Sequence, residues 1–411
     1  MVKVVAATSE LRERVRRLPG MERLLPALEG LPPAYLVGGA VRDLLRGARA
    51  VDLDIAVEGD ARSVARALAE RLGGAAREHE RFGTATVRAD DLMSDLATTR
   101  TERYPEPGAL PVVSAASLSD DLRRRDFTVN AMAVALGGDD LGHLYDPCGG
   151  LHDLAAGTIR ILHASSFLDD PTRLLRAVRY ETRLGFRMDE DTESAARAAI
   201  AEEAMSTVSG ARVRDELMDL LAEPDVPVGI ERMRELGLDR ALDPALDPDP
   251  ELVASASLGA AAIGVDRALA ALAALCASAP EELDLWLAGL QLDARDRDAV
   301  SRAARVAGRL ARALREREHT ASELRALLNG EPPETLALAL ALRAPSEPVL
   351  RWVTELSRVR LEIGGDDLLA AGIPEGPEIG RALEETLRRK LDGLVRGHDD
   401  ELATALEVAR A

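Results

Sequence analysis

The stretch from Tyr35 to Asp60, YLVGGAVRDLLRGARAVDLDIAVEGD, holds two apolar runs on either side of a short amphipathic segment. The runs AYLVGG and VDLDIAVEG are typical of strands, and Gly47 and Gly59 bound the second one. The segment AVRDLLRG between them is typical of a helix. A strand, a helix and a second strand in this order predict the start of an α/β unit.

The rest of the chain divides into a region of mixed pattern and a longer helical region. After a helical pattern at 60–74, the segments TATVRA, SDLATT and TVNAMAVAL are further candidate strands. We therefore predict an α+β unit with one sheet of about five strands, followed by an elongated all-α region rich in alanine and leucine. The predicted segments are an N-terminal helix at 1–33, the α+β unit at 34–152, and helical units at 153–225, 226–361 and 362–411.

The composition favours a protein of the cell interior. The 411 residues include two cysteines, Cys148 and Cys276, which lie far apart in sequence and suit reducing surroundings. No apolar run approaches the ~18–20 residues that span a bilayer, and the first residues lack the apolar core of a secretion signal. We expect a cytoplasmic protein with no membrane partner. The net charge of −19 does not exclude RNA as a partner, because phosphate contacts need only a local basic surface.

Asp52 and Asp54 form a pair of carboxylates on the second predicted strand. Side chains two residues apart on a strand point to the same face, about 6.5–7 Å apart along the chain. Two carboxylates so placed can share two Mg²⁺ ions about 3.5–4 Å apart, the arrangement used for in-line phosphoryl transfer. The pair indicates a two-metal catalytic site, and two aspartates on a solvent-facing edge strand are the simpler alternative.

Gly38 and Gly39 lie between the first strand and the helix. Because no side chain is present there, backbone N–H groups can approach a triphosphate. Arg42 follows in the first turn of the helix, where its guanidinium can reach the phosphates. These three residues are candidate nucleotide-binding residues, and an ordinary glycine turn is the alternative.

A second block, DLRRRDFTVNAMAV from Asp121 to Val134, places three arginines directly before a β-branched run. Arginines are costly to bury, so they face either solvent or an anion. The functional interpretation puts Arg125 against nucleotide phosphate and Asp126 near the ribose. A solvated turn is the alternative.

A third block, SFLDDPTRLLRAVRYETRLGF from Ser166 to Phe186, begins a helix at Asp170 and the proline after it. Three arginines recur every third residue and span about 120° of this helix. They are Arg173, Arg176 and Arg179. Several donors beside one acceptor can hydrogen-bond the edge of an incoming base and so select a nucleotide without a nucleic-acid template. Ordinary helix arginines with solvated heads are the alternative.

These blocks, in this order, resemble the class II tRNA nucleotidyltransferase family, which also contains bacterial poly(A) polymerases. The likeness is carried by GG-x-VRD…DxD, by RRDFT-x-N-A and by DP-x-R-x-LRA-x-R. Three further segments resemble parts of the same family: LYDPCGGLHDLAAGTIRIL (144–162), VSGARVRDEL (208–217) and GGDDLLAAGIPEGPEIGRAL (364–383). The likeness is close over about residues 35–217 and returns near the C-terminus.

The resemblance implies a polymerase-beta-like nucleotidyltransferase head followed by a helical region, in an enzyme that adds C, A or both to the tRNA 3′ end. It implies Mg²⁺ as the cofactor, CTP and ATP as substrates, and the tRNA 3′ end as the partner. Carried over residue by residue, Asp52 and Asp54 are metal ligands, Gly39, Arg42 and Arg125 hold the triphosphate and sugar, and Asp170, Arg173, Arg176 and Arg179 recognise the base or support that site. Asp95 is the candidate for a third active-site carboxylate.

Two departures from the family's pattern keep the nucleotide specificity open. Many family members have Glu-Asp before the proline, where this chain has Asp169 and Asp170. The family also has a basic flexible loop near residues 104–122 that helps to change the specificity from CTP to ATP, and this segment contains no lysine or arginine. Full CCA addition, CC-only addition, A-only addition and poly(A) synthesis therefore remain alternatives. An RNA-binding module without catalysis is disfavoured, because the aspartates, the glycines and Arg42 are all present.

One face of a helix in the C-terminal half is a candidate surface for RNA phosphates. Its four arginines, Arg302, Arg305, Arg309 and Arg312, fall within about 80° of one helical face. Each phosphate that such a surface neutralises adds salt-sensitive affinity. A solvated face on an acidic protein is the alternative.

Overall fold

The computed structural model describes residues 7–48, 53–79, 83–90 and 92–411. The chain forms two compact units. The first consists of Met1–Asp225 and Arg232–Leu242, and the second of Val226–Glu231 and Asp243–Ala411. Asp52, one of the two aspartates of the predicted metal pair, lies outside the described residues.

A mixed seven-stranded sheet organises the first unit. The strands of the unit are β1 (Ala34–Val37), β2 (Leu53–Val57), β3 (Ala75–His79), β4 (Thr84–Ala89), β5 (Leu92–Thr98), β6 (Arg100–Arg103), β7 (Val112–Ala115), β8 (Ala133–Ala135), β9 (Leu144–Tyr145), β10 (Thr158–Ile159) and β11 (Arg187–Met188). The order in the sheet is β3-β4-β5-β2-β1-β8-β9, in which β2 and β5 run parallel and the other neighbours antiparallel. β6 and β7 form a separate antiparallel hairpin, and β10 and β11 a short parallel pair.

The centre of the sheet presents two aspartates on one face. In β2 the residues Leu53, Ile55 and Val57 are buried, whereas Asp54 is exposed. The register between β2 and β5 sets Asp54 directly beside Asp95. Because paired residues on neighbouring strands share a face, the two carboxylates point to the same side of the sheet.

Helices of the first unit flank this sheet and continue beyond it. They are α1 (Thr8–Arg16), α2 (Met21–Ala27), α3 (Gly39–Arg46), α4 (Ala61–Leu72), α5 (Leu118–Arg123), α6 (Gly150–Ala156), α7 (Ser166–Asp169), α8 (Thr172–Leu184), α9 (Glu190–Ala201), α10 (Gly210–Leu221), α11 (Val226–Leu236), whose residues divide between the units, and α12 (Leu238–Leu242). Short 3-10 turns occur at Thr128–Asn130 and Ala204–Thr207. Helix α8 is buried around most of its surface, and its buried residues include the charged Arg173, Arg179 and Glu181.

The second unit is helical throughout its described residues. It contains α13 (Pro250–Ile263), α14 (Arg267–Cys276), α15 (Asp284–Gly289), α16 (Ala294–Glu316), α17 (Ala321–Leu328), α18 (Pro333–Ala341), α19 (Ser346–Thr354), α20 (Gly365–Ala370), α21 (Pro377–Leu391) and α22 (His398–Arg410), with a 3-10 turn at Leu356–Arg358. Small residues let helices approach closely, as at the buried cluster of Ala260, Ala270 and Ala337. Among the described residues of either unit, no helix has the length and apolar character to cross a bilayer.

The predicted fold class, an α+β unit followed by a helical region, is confirmed. The sheet has seven strands rather than about five, because β3 and β9 were not predicted. Strand β3 reads AAREH, which has no apolar alternation, and β9 has two residues. The N-terminal segment forms two helices instead of one, since Pro19 and Gly20, with φ +77°, interrupt the pattern. The subdivision into five segments stays a prediction.

Gly259 provides a test of the close packing between α13 and α18. A Cβ atom added at Gly259 would lie 2.6 Å from the Ala337 carbonyl oxygen, whereas one added at Gly308, in α16, meets nothing within 4 Å. We expect Gly259→Ala to lower the free energy of unfolding by about 1–3 kcal/mol through overpacking. Gly308→Ala, the matched control, should raise it by up to about 1 kcal/mol through helix propensity. Urea denaturation followed by circular dichroism measures both, and equal effects would contradict the packing account.

Candidate active site

A cavity of about 480 Å³ in the first unit collects most of the predicted site residues. Eight of them line it: Gly38, Gly39, Asp54, Arg125, Asp126, Asp170, Arg173 and Arg176. Arg42, Arg179 and Asp95 do not belong to the described lining, and Asp52 lies outside the described residues. The fold thus brings residues that are more than a hundred positions apart in sequence to the same cavity.

The turn at Gly38 brings backbone close to two charged side chains. Gly38 has φ +66° and ψ −136°, a conformation that side-chain-bearing residues rarely adopt. A Cβ atom added there would lie 3.1 Å from Nη1 of Arg125 and 3.9 Å from Oδ2 of Asp54. The absent side chain therefore leaves room beside a guanidinium and a carboxylate, directly before the N-terminus of α3.

Asp54 and Asp95 are neighbouring carboxylates on one face of the sheet. They lie side by side on parallel strands, and the Thr86 hydroxyl donates to Oδ1 of Asp95 over 2.5 Å. Carboxylate oxygens are ligands that Mg²⁺ prefers. Within the described part of the chain no group of three or more possible metal ligands occurs, and the predicted metal ligand Asp52 lies outside that part.

Arg125 is anchored by a buried aspartate. Its Nη2 donates to Oδ2 of Asp121 over 3.0 Å. Burial raises the pKa of Asp121, but the charges of Arg125 and Arg124 outweigh this effect and lower the pKa below its ordinary value. Nε of Arg125 is buried without a hydrogen-bond partner among the described residues. The guanidinium is thus fixed at one edge while it lines the cavity.

Arg42 is directed into the protein rather than into the cavity. The residue is 3% exposed, and its Nη1 donates to Oδ1 of Asn130 over 2.8 Å. Its Nε and Nη2 donate to the two carboxylate oxygens of Asp43 over 3.0 and 3.2 Å. The guanidinium carbon also lies 5.3 Å from the ring centre of Tyr180, within cation–π distance. The predicted role in phosphate binding stays untested, and the observed contacts are those of a residue that holds neighbours in place.

Asp126 and Arg176 both line the cavity and form an ion pair with each other. Nε and Nη2 of Arg176 donate to Oδ2 of Asp126 over 3.0 and 2.7 Å, and Nδ2 of Asn130 donates to Oδ1 over 3.1 Å. Burial raises the pKa of Asp126, but the charge and hydrogen bonds of Arg176, with the bond from Asn130, lower it to about 2. Nη1 of Arg176 reaches Glu216 of α10 over 2.7 Å. The pair therefore joins two parts of the unit.

Arg179 continues this set of ion pairs away from the cavity. Its Nη2 donates to Oε2 of Glu216 over 2.9 Å, and its Nη1 to Oδ2 of Asp219 over 2.7 Å. Arg179, like Arg176, therefore links α8 to α10, but it does not belong to the described lining of the cavity.

Asp170 and Arg173 lie at the start of α8, where the cavity opens. Oδ1 of Asp170 accepts three hydrogen bonds, from the Thr172 N–H over 3.2 Å, the Thr172 hydroxyl over 2.6 Å and Nη2 of Arg212 over 2.7 Å. Arg173 donates to the Ser166 hydroxyl over 2.6 Å and to the Arg124 carbonyl oxygen over 3.0 Å. Both side chains are held in one orientation before any ligand arrives.

Comparison with known proteins agrees with this geometry. Residues 34–160 match the family profile "Poly A polymerase head domain", and residues 185–249 match "Probable RNA and SrmB-binding site of polymerase A". A CC-adding tRNA nucleotidyltransferase of Deinococcus radiodurans is 33% identical over 371 residues, which cover 89% of this chain and 87% of that protein. The chain belongs to the tRNA nucleotidyltransferase and poly(A) polymerase family. The predicted resemblance is confirmed.

Two further relatives show the range within this family. An A-adding tRNA nucleotidyltransferase of Geobacter sulfurreducens is 36% identical over 399 residues, covering 92% of this chain and 45% of that protein. The chain thus spans less than half the length of that relative. A solved structure of the Thermotoga maritima CCA-adding enzyme complexed with tRNA-CCA superposes with a TM-score of 0.74 at 33% identity, and the match covers 99% of each chain.

The sequence interpretation missed several lining residues of this family member. They include Glu102, Tyr104, Asn130, Arg212 and Glu216. Arg212 and Glu216 lie in the segment 208–217, which resembles a family motif. The resemblance alone does not predict that these two residues line the cavity. Glu102 and Tyr104 come from the β6–β7 hairpin, and no residue pattern in the sequence indicates that this hairpin reaches the cavity.

The Asp126–Arg176 pair predicts a pH-dependent loss of stability. The pKa of Asp126 lies at about 2 in the folded protein against an ordinary 3.8, so its contribution is complete above the ordinary pKa and is lost as the pH falls through the folded one. We expect Asp126→Asn to lower the free energy of unfolding by about 2 kcal/mol near neutral pH, and this difference from the wild type to shrink below about pH 4.

Urea denaturation at a series of pH values measures the effect. Asp219→Asn is the control, because Asp219 also pairs with an arginine of α8 but its side chain is 58% exposed. An exposed pair contributes no more than about 1 kcal/mol. An Asp126→Asn difference that does not change with pH would contradict the assignment.

Proposed function

We propose that this chain transfers nucleotides from CTP, ATP or both to the 3′ end of tRNA without a nucleic-acid template. The observation that supports this function is one cavity that holds two kinds of groups. Asp54, Gly38 and Arg125 suit the triphosphate and the reacting phosphorus, whereas Asp170 and Arg173 suit the edge of a base. A site that contains both needs no template strand to select a nucleotide.

In the proposed reaction the 3′-hydroxyl oxygen of tRNA bonds to the α-phosphorus, and pyrophosphate leaves. Asp54, with Asp52 and Asp95, would hold Mg²⁺, since the described carboxylates lie together on one sheet face. The ion supplies Lewis-acid stabilisation of the charge that develops on the transferred phosphoryl group. Arg125, fixed by Asp121, adds positive charge beside the open backbone at Gly38, where phosphate oxygens can approach.

Asp170 accounts for selection between bases. All of the hydrogen bonds that its carboxylate accepts from described residues end on Oδ1, so Oδ2 keeps its capacity to accept a hydrogen bond from a ligand. Adenine and cytosine both carry an exocyclic amino group, N6 or N4, that donates, and uracil presents a carbonyl oxygen at the corresponding position. An ionised carboxylate therefore favours A and C over U.

We propose that the tRNA-binding surface includes the arginine face of α16 in the second unit. Arg302 pairs with Glu331 over 2.6 Å, and Arg305 pairs with Asp284, which reduces the net charge of these two. Arg309 and Arg312 are exposed and line an adjacent groove of about 390 Å³. We therefore assign phosphate contacts mainly to Arg309 and Arg312, and expect the affinity for tRNA to fall with salt.

Asp54→Asn tests the catalytic assignment. We expect nucleotide addition to fall at least about a hundredfold, because a metal-binding carboxylate is lost, while the affinity for tRNA and the unfolding midpoint change little. Asp90→Asn is the control, since Asp90 has a side chain that is 79% exposed and pairs with Arg23 away from the cavity. Single-turnover kinetics with Mg²⁺ and filter binding of tRNA are the measurements. Near-normal addition by Asp54→Asn would refute the assignment.

The products decide between the specificities found among the relatives. One tRNA that ends at the discriminator base and one that ends in CC are each incubated with CTP, ATP or both, and the products are resolved to single nucleotides. We expect defined growth that stops within three residues. Two C and then one A on the first tRNA identify CCA addition, and a stop at CC or addition of A to the second tRNA alone identifies a specialised enzyme. Unbounded A tails favour poly(A) synthesis, and no incorporation refutes the proposal.

A further inference from the structure

The short helix α5 lies along one face of β2, the strand that carries Asp54. Alternation along the strand puts Asp54 and Ala56 on this face, and Glu58, just after the strand, comes next in the same alternation. Ala56 packs with Leu118 and Leu122 of α5 in one buried apolar cluster. The helix therefore runs beside the strand between the cavity, which Asp54 lines, and Glu58.

Glu58 fastens the beginning of α5 to the end of β2. Its Oε1 accepts a hydrogen bond from the N–H of Leu118, the first residue of α5, over 2.8 Å. Its Oε2 accepts one from the Tyr35 hydroxyl over 3.0 Å. Burial, and then the hydrogen bond to Glu58, raise the pKa of Tyr35 above its ordinary value, so the hydroxyl stays a donor. The carboxylate thus joins β1 and β2 to the helix through two directed bonds.

Arg125 lies at the other end of this arrangement. Its N–H donates to the Leu122 carbonyl oxygen over 3.4 Å, and its guanidinium donates to Asp121 over 3.0 Å, so the residue moves with the helix. The strand spans about 13 Å from Asp54 to Glu58. The helical rise from the start of α5 to Arg125 is about 10 Å. Because the two spans are similar, a helix fastened at Glu58 carries Arg125 to the level of Asp54.

We propose that Glu58 is a positioning residue that sets where Arg125 lies relative to Asp54, and thereby the rate of nucleotide transfer. Apolar packing has no preferred direction, so Leu118 and Leu122 alone would let α5 shift along the strand. A hydrogen bond to a carboxylate is directional and roughly twice as strong as a neutral one. The inference rests on the proposed function, because Arg125 has a triphosphate to hold only if the chain transfers nucleotides.

Other contacts keep α5 on the sheet when Glu58 is changed. The Thr99 hydroxyl donates to the Ala116 carbonyl oxygen over 2.7 Å, and the Arg100 N–H donates to Oδ1 of Asp121 over 3.1 Å. Both tie the helix, or the residues before it, to the segment that follows β5. Glu58 belongs instead to the segment that continues directly from β2. Its loss should therefore make the position of the helix along β2 less defined without unfolding the helix.

A general loss of stability makes a different prediction from mispositioning. A variant that folds less completely contains fewer active molecules, and the rate per active molecule stays that of the wild type. A displaced Arg125 lowers the rate per active molecule, because a misplacement of about 1 Å can cost about a hundredfold. Once Arg125 itself is replaced, the position of the helix no longer acts through it. A double-mutant cycle therefore separates the two roles.

Glu58→Gln is the principal variant, measured in single turnovers with Mg²⁺, saturating tRNA and whichever nucleotide the wild type incorporates. The amide has about the same shape but lacks the charge, and its NH₂ group would face one of the two donors. We expect the rate per active molecule to fall about tenfold, while the KM for tRNA changes little. In the Arg125→Gln background the same substitution should lower the rate by no more than about twofold.

Tyr35→Phe changes the same arrangement without touching α5. The phenylalanine ring keeps the edge-to-face contact with Tyr145, whose centroid lies 5.5 Å away, while Oε2 of Glu58 loses its donor. We expect a smaller fall in rate, about threefold, because the bond to Leu118 remains. Together with Glu58→Gln it should add nothing to the larger single effect. In the event that Glu58→Gln does not fold, Tyr35→Phe with and without Arg125→Gln makes the same test.

Asp392→Asn is the matched control. Asp392, in the second unit, makes the same two kinds of contact as Glu58. Its Oδ1 accepts from the Ser322 N–H, in the first turn of α17, over 2.9 Å, and its Oδ2 accepts from the Ser322 hydroxyl over 2.7 Å. It does not belong to the cavity lining among the described residues. The rate per active molecule should remain that of the wild type.

The outcomes distinguish this inference from the proposed function. A wild type that incorporates no nucleotide refutes both. An active wild type whose Glu58→Gln variant transfers at the same rate per active molecule overturns the positioning role alone. An equal fall caused by Glu58→Gln with and without Arg125 overturns it as well, and the proposed function stands in both of these cases.

Discussion

The ion pair between Asp126 and Arg176 is the contact on which the site depends. Asp126 is 9% exposed, and a carboxylate so far from water remains ionised only when it is paired and hydrogen-bonded. Its pKa of about 2 shows that the pairing prevails over burial. Because Asp126 follows α5 and Arg176 lies in the middle of α8, the pair fixes this helix against the sheet-forming part of the unit. The start of α8, with Asp170, is thereby brought to the cavity that also contains Asp54.

The pair is one step of a longer chain of hydrogen bonds, which runs from Arg42 through Asn130, Asp126, Arg176 and Glu216 to Arg179. Each member donates a hydrogen bond to a neighbour or accepts one from it, and such a network restricts the arrangements that its members can adopt. The arginines of the predicted set therefore differ in what they contact. Arg42 and Arg179 contact protein groups and do not belong to the described lining, Arg176 takes part in the network while it lines the cavity, and Arg125 and Arg173 line the cavity without belonging to this network.

The sequence predicts those features of the structure that depend on residues close together in the chain. The alternation of apolar residues around Asp54 and the glycines before α3 act within a few residues, and the strand and the turn that they predict are present. The helix predicted to begin at Asp170 begins instead at Thr172, with Pro171 at its N-cap, while Asp170 is the C-cap of the short helix α7. The Arg42–Asn130 hydrogen bond and the Arg176–Asp126 ion pair join residues 88 and 50 positions apart, and no local pattern states which acceptor each arginine meets. The same reason explains why the contacts of Arg212 were not anticipated. Strand β3 was missed because it lies at the sheet edge with mostly exposed side chains.

Selection of a base by side chains alone requires a rigid site, since a hydrogen bond discriminates only if its partners stay within about 0.5 Å of the productive geometry. An arginine in water has about 2 kcal/mol of rotamer entropy, so a single unsupported guanidinium is a poor reader of a base edge. In this chain each group that is proposed to face the base has its own support. Arg173 is held by Ser166 and a backbone carbonyl, and Asp170 by Thr172 and Arg212. The many carboxylates around the cavity follow from this requirement, because each arginine kept in place needs an acceptor, and an acidic protein with a net charge of −19 can still present donors where a nucleotide binds.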